Sequence, residues 1–154
     1  MKKIIETFEF FRAVRRRLRF GEYSRLPLHI HRFEITADSA QCEWFMRPQD
    51  PWDAHLPMRI QQEHITQQSL NDALQVRELI FRSFPQVNRA GLRMYRACGD
   101  EAPELMLIGD VERETRGLRR VTSLVMQAKL CGFRFCLTGG VLERITSSEP
   151  RGSC

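Results

Sequence analysis

The sequence predicts an α+β domain in which three principal helices cover one face of a mainly antiparallel sheet of five or six strands. Three observations lead there. Apolar residues recur at spacings of three and four in three stretches. Between them lie short segments bounded by Gly, Pro, Asp and Ser that read as strands. The resulting order is α-ββ-α-ββ-α-β, and 154 residues with 42% apolar and 28% charged side chains suit one globular domain with a sizeable core.

The first helix spans residues 4–19, where Ile4, Ile5, Phe8, Phe11, Val14 and Leu18 form an apolar stripe with arginines on its flanks and back. Gly21 and Pro27 end it. Residues 28–35 and 40–46 read as two strands joined across Ala37-Asp38-Ser39, and the second alternates Ala40, Cys42, Trp44 and Met46 against Gln41, Glu43, Phe45 and Arg47. After a loop carrying Pro48, Pro51 and Pro57, a second helix starts near Pro57 or Thr66 and runs to Phe84. It buries Leu70, Ala73, Leu74, Ile80, Phe81 and Phe84, and Pro85 stops it. Residues 91–97 and 104–112 are the next two strands. Thr115 is expected to cap a third helix burying Leu118, Val121, Val125 and Ala128, with Gly132 as its left-handed terminus. Residues 133–137 form a last strand, folded back through Gly139-Gly140 onto residues 141–145. The domain is expected to cover residues 1–146, with 147–154 a loose tail.

The two αββ segments can be laid over each other as a degenerate duplication. Val14-Arg15 then falls opposite Val76-Arg77, and residues 28–32 opposite residues 92–96. Within residues 70–145, Leu105-Met106-Leu107-Ile108-Gly109-Asp110-Val111 resembles the strand ending in Gly-x-Val of the BON domain, and Cys131-Gly132-Phe133 is similar to that family's Gly-Val at the helix exit. The resemblance covers half the chain and implies an αββαβ lipid- or ligand-binding module rather than an enzyme. The spacing from Gly109 to Gly132 is about one helical turn longer than the family pattern.

The net charge of +5 is concentrated at one end. Residues 1–32 hold nine basic and three acidic side chains, whereas the other 122 residues are close to neutral. A basic helix with an apolar stripe suits an anionic partner, either a membrane surface or nucleic acid, contacted by Arg12, Arg15, Arg16, Arg17 and Arg19. The competing reading packs the stripe on the protein's own sheet and leaves the arginines solvated. No catalytic signature is present, and the leading expectation is a non-enzymatic binding module that needs no cofactor.

A rival reading is a small enzyme or metal-binding protein. His29 and His31, two apart on a strand, would share a face, with Cys42 or Glu43 as a further ligand. The loop from Asp50 to His55 would add Asp50, Asp53 and His55, perched on a path fixed by three prolines. Alternatively Trp52 plugs the core edge and the aspartates cap backbone. Asp110, Glu112 and Glu114 alternate at a strand end and read as a solvated charged edge. A third reading is a homodimer sealed by an exposed aromatic face carrying Phe33 and Phe45. Five cysteines without a CxxC pair suggest reduced thiols, with Cys42 and Cys136 as core filler. No apolar run is long enough to cross a bilayer, and the first residues lack the apolar stretch of a secretory signal, so a cytoplasmic location, peripheral at the membrane if lipid is the partner, is expected.

Overall fold

Helix α1 (Lys2–Arg17) leads into the hairpin β1 (His29–Ile35) and β2 (Ser39–Phe45), and α2 (Met58–Ser83) separates it from a second hairpin, β3 (Arg89–Cys98) and β4 (Glu101–Glu112). The chain closes with α3 (Leu124–Leu130), β5 (Phe133–Arg134), β6 (Cys136–Thr138) and β7 (Val141–Glu143). This computed structural model describes residues 2–115 and 117–146, with Arg119 given by its backbone alone; the tail at 147–154 lies outside the described residues.

Five strands form one sheet in the order β1-β2-β3-β4-β5, and β6 and β7 form a separate two-stranded one. Three pairings of the main sheet are antiparallel and one, β2 with β3, is parallel. The cause is α2. At 26 residues it is about 39 Å long, enough to carry the chain back past the sheet so that β3 starts at the same end as β2. Ala40, Cys42 and Trp44 of β2 then lie level with Ala90, Leu92 and Met94 of β3 on the buried face. Gln41, Glu43 and Phe45, with Arg93 and Tyr95, occupy the opposite face.

Two elements depart from the sequence expectation. Thr115 caps no helix: its hydroxyl accepts from Arg77 Nη2 at 2.6 Å, Gly117 takes φ +82°, and only a 3-10 turn forms over Leu118–Arg120. β-branched Val121 is extended, and α3 starts later, where the Ser123 side chain accepts from the Met126 N–H. The predicted last strand is split. Phe133–Arg134 pairs with β4, and the chain then reverses through Gly139 (φ +59°) and Gly140 (φ +82°) to form the β6–β7 hairpin. At the other end of α2, Arg113 donates to the carbonyls of Phe81, Phe84, Pro85 and Val87, closing a helix terminus that would otherwise leave acceptors unpaired.

β1 contains a bulge. His29 pairs with Phe45 and Ile30 with Trp44, but Arg32 is next, opposite Glu43, which leaves His31 as the extra residue. Beyond it the alternation shifts by one, so Phe33 and Ile35 turn to the buried face beside Cys42 and Ala40. Phe33 stacks on Phe10 at 4.6 Å and on Phe84 at 5.5 Å, and this ring cluster seats α1. The buried face of α1 is therefore Phe10, Val14 and Leu18. This corrects the predicted stripe: Val14 and Leu18 belong to it, but Ile4, Ile5 and Phe8 are 72%, 55% and 67% exposed.

A second fixture is polar. Arg47, which alternation placed on the solvent face, is buried and pairs with Asp72 of α2 through Nε–Oδ2 at 2.8 Å and Nη2–Oδ1 at 2.9 Å. Its Nη1 donates to the Leu26 carbonyl. Gln68 donates to Asp72 and accepts from the Tyr23 N–H, so the network ties the loop after α1, the end of β2 and α2 together. Burial pushes the Asp72 carboxyl above its ordinary range, against the opposing pull of Arg47 and Gln68.

Phe10→Ala should lower unfolding free energy by about 3–5 kcal/mol in urea titrations, whereas Phe8→Ala should stay within about 0.5 kcal/mol of the wild type. Asp72→Ala strands a buried guanidinium and should cost about 3–5 kcal/mol in the same measurement.

Candidate functional site

Because Phe10 and Val14 face the core, the opposite side of α1 faces water. Ile4, Phe8, Arg12 and Arg15 follow one another there at spacings of four, four and three, with Ile5 and Arg16 beside them. The first two turns of this face carry Ile4, Ile5 and Phe8, with Lys2, Lys3 and Glu9 exposed beside them, and the last two are cationic. Arg12, Arg15, Arg16, Arg17 and Arg19 are all exposed, and among the described residues none of them meets a carboxylate. Arg19 lies over the ring of Phe20 at 5.3 Å. Part of this placement serves the helix itself, since Arg15, Arg16 and Arg17 occupy its last turn, where the macrodipole favours cations.

One hollow lies beside this helix and adjoins a second. A groove of about 450 Å³ runs between the end of α1 and the start of β1, with Phe11, Val14, Leu18 and Ile30 in its floor and Arg15, Arg19 and His29 among its polar lining. Pro27 and His29 also line a second, more apolar cavity of about 510 Å³. Its walls come from the ends of β2 and β3, the first half of α2 and the β6–β7 hairpin, through Phe45, Met46, Ala97, Met58, Ile65 and Leu142. Arg47 and Arg96 line it too, but each is held by a carboxylate, Asp72 and Glu104 respectively. Among the described residues, no acidic side chain lines either hollow.

The structure spreads the rival site over separate jobs. Asp50 accepts from the backbone N–H groups of Arg25 (2.9 Å) and Trp52 (3.0 Å), and these bonds hold its carboxyl below the usual range. The Asp53 carboxylate faces His64 Nδ1 of α2 at 3.0 Å, and His64 stacks on Tyr23 at 4.7 Å. His55 is exposed. Trp52, expected to plug the core edge, is 67% exposed and lies under the Arg25 guanidinium at 4.2 Å. The bulge takes His31 out of strict alternation with His29 and sets it edge-on to Phe45. Among the described residues, no three of His, Cys, Asp and Glu come together as a metal site.

The aromatic seam is also corrected. Phe33 lies in the ring cluster under α1, while Phe45 stays on the opposite face of the sheet, 6.4 Å from Tyr95. Asp110 at the strand end faces Arg89 at 3.7 Å. Cys42, Cys98 and Cys131 are free thiols and Cys136 is disulfide-bonded, a departure from five reduced cysteines. Burial pushes the Cys42 and Cys131 thiols upward, away from the reactive thiolate. Sequence reasoning missed the cavity residues Met58, Ile65 and Ala97, which the fold brings together from the start of α2 and the end of β3. It missed Asp72 as well, although an acid set among Leu70, Ala73 and Val76 at helical spacing was a readable sign of a buried partner.

Asp50 makes its hydrogen bonds as a carboxylate, so the stability it supplies is complete above its unfolded value of 3.8 and is lost as pH falls through the lower folded value. Thermal melts should therefore show Asp50→Ala less stable than wild type at neutral pH, with the gap narrowing on acidification below that range.

No helix among the described residues is long and apolar enough to cross a membrane. Compared with family models, curated proteins and solved structures, the chain matches none.

Proposed function

We propose that this chain is a non-enzymatic binding module that docks the outward face of α1 on an anionic membrane surface. The carrying observation is the pairing of Ile4, Ile5 and Phe8, exposed in the first turns, with Arg12, Arg15 and Arg16, exposed and without carboxylate partners among the described residues, on the same side. Apolar side chains left in water cost free energy; each fully buried in a bilayer returns about 1.5–3 kcal/mol. Each arginine near anionic headgroups adds about 1 kcal/mol. Phosphate on a nucleic acid would use the arginines and leave the three apolar side chains unrewarded.

One observation favours nucleic acid as the second reading. Phe20 and Trp52 are 64% and 67% exposed, and each is overlaid by an arginine, Arg19 and Arg25. Exposed rings beside cations are the elements of single-strand binding.

Vesicle co-sedimentation separates the two. Replacing Arg15, Arg16 and Arg17 together by Gln should weaken binding to vesicles containing anionic phospholipid by about 3 kcal/mol, roughly a hundredfold, and flatten its dependence on salt. Phe8→Ser should weaken vesicle binding while leaving oligonucleotide binding unchanged. Undiminished vesicle binding by the triple variant would remove the reading. Binding to single-stranded oligonucleotides but not to vesicles would establish the second.

A further inference from the structure

We propose that the apolar cavity at the ends of β2 and β3 is a binding site for a single-chain anionic amphiphile, with its chain between Phe45, Met46, Met58, Ile65 and Leu142 and its head toward His29 and the Arg15–Arg19 rim. The cavity measures about 510 Å³, inside the range of roughly 300–1,000 Å³ usual for small-ligand sites. Its lining is mostly apolar, and its polar members among the described residues are neutral amides, a hydroxyl, an imidazole and two guanidinium groups, with no carboxylate among them. A cationic or acid-seeking ligand would find no counter-charge here.

The two arginines of the cavity itself are neutralised by Asp72 and Glu104, so the chain-binding part favours uncharged, apolar matter. Among the described residues, unbalanced positive charge begins on the other side of Pro27 and His29, which line both hollows, at Arg15 and Arg19. Apolar volume on one side of a shared wall and uncompensated cation on the other is the charge pattern of an amphiphile with an anionic head. A phosphate or a carboxylate head fulfils it equally.

The site shares Arg15 and Arg19 with the membrane reading, so its decisive variants lie away from α1. Ala97 and Gln62 line the cavity from exposed positions on β3 and α2, and a tryptophan at either fills space without displacing buried side chains. Calorimetric titration with octyl phosphate below its micelle-forming concentration should show one site per chain, with octanol weaker and inorganic phosphate not binding. Ala97→Trp and, independently, Gln62→Trp should each weaken octyl phosphate by at least about tenfold, while circular dichroism and melting confirm the fold and vesicle binding is retained. Arg15→Gln with Arg19→Gln should erase the preference of octyl phosphate over octanol, and an octyl carboxylate in place of the phosphate tells which head is preferred. The proposal is overturned if wild type fails to bind, if uptake occurs only above the micelle threshold, or if both folded tryptophan variants bind as wild type does. Loss of vesicle binding in the arginine variants with octyl phosphate unaffected would leave the membrane reading standing and remove the head-group assignment.

Discussion

The arrangement of the whole N-terminal third depends on one extra residue in an edge strand. Without the bulge at His31, strict alternation would send Phe33 to the same face as His29 and take away the ring stacked on Phe10. With it, Phe33 enters the core, the rings of Phe10, Phe33 and Phe84 close on one another, and α1 is fixed in rotation about its own axis. That rotation decides which side chains meet solvent. The outward face of Ile4, Phe8, Arg12 and Arg15 is thus a consequence of packing on the other side of the helix.

The arginines of this chain divide by how their charge is balanced. Arg47 is desolvated and matched by Asp72 and a carbonyl, an arrangement that fixes geometry more than it stabilises, since desolvation consumes much of the Coulomb attraction. Arg113 is spent on the carbonyls at the end of α2. Arg96 is held by Glu104, whose carboxyl is kept below its usual range by that contact. The cations of α1 have no such occupation among the described residues. A field from charges left uncompensated in one place acts beyond the molecule, whereas compensated charges act within it.

The element order, the α+β class and the concentration of charge in the first 32 residues were legible because each rests on local pattern. The parallel β2–β3 pairing was less so, since it depends on how far α2 carries the chain rather than on any residue within the strands. The face of α1 was misread for a specific reason: two apolar stripes share that helix, Ile4-Phe8 and Phe10-Val14-Leu18, and periodicity finds both without saying which has a partner. Arg47 was placed outside because β2 alternates regularly up to Phe45, and the chain leaves the sheet just before it. Asp50 read as a potential acid–base group because composition records a carboxyl but not the two N–H groups it serves.

The position of the cavity follows from the same crossover that makes β2 and β3 parallel. Antiparallel neighbours end at opposite edges of a sheet, so no single place collects their exits. A parallel pair delivers both carboxyl ends to one place, and the helix connecting them begins there, which leaves a crevice walled by two diverging chain exits and a helix start. Here those walls are Phe45-Met46-Arg47 leaving β2, Arg96-Ala97 near the end of β3, and Met58, Gln62 and Ile65 at the start of α2. The β6–β7 hairpin closes one side, held to α2 by the Leu142 N–H donating to the Thr66 hydroxyl at 3.0 Å. The groove beside the end of α1 adjoins the same crevice across Pro27 and His29, which line both. The topology thus brings the apolar hollow to the region where the uncompensated arginines lie, so that both halves of an amphiphile site come from one fold.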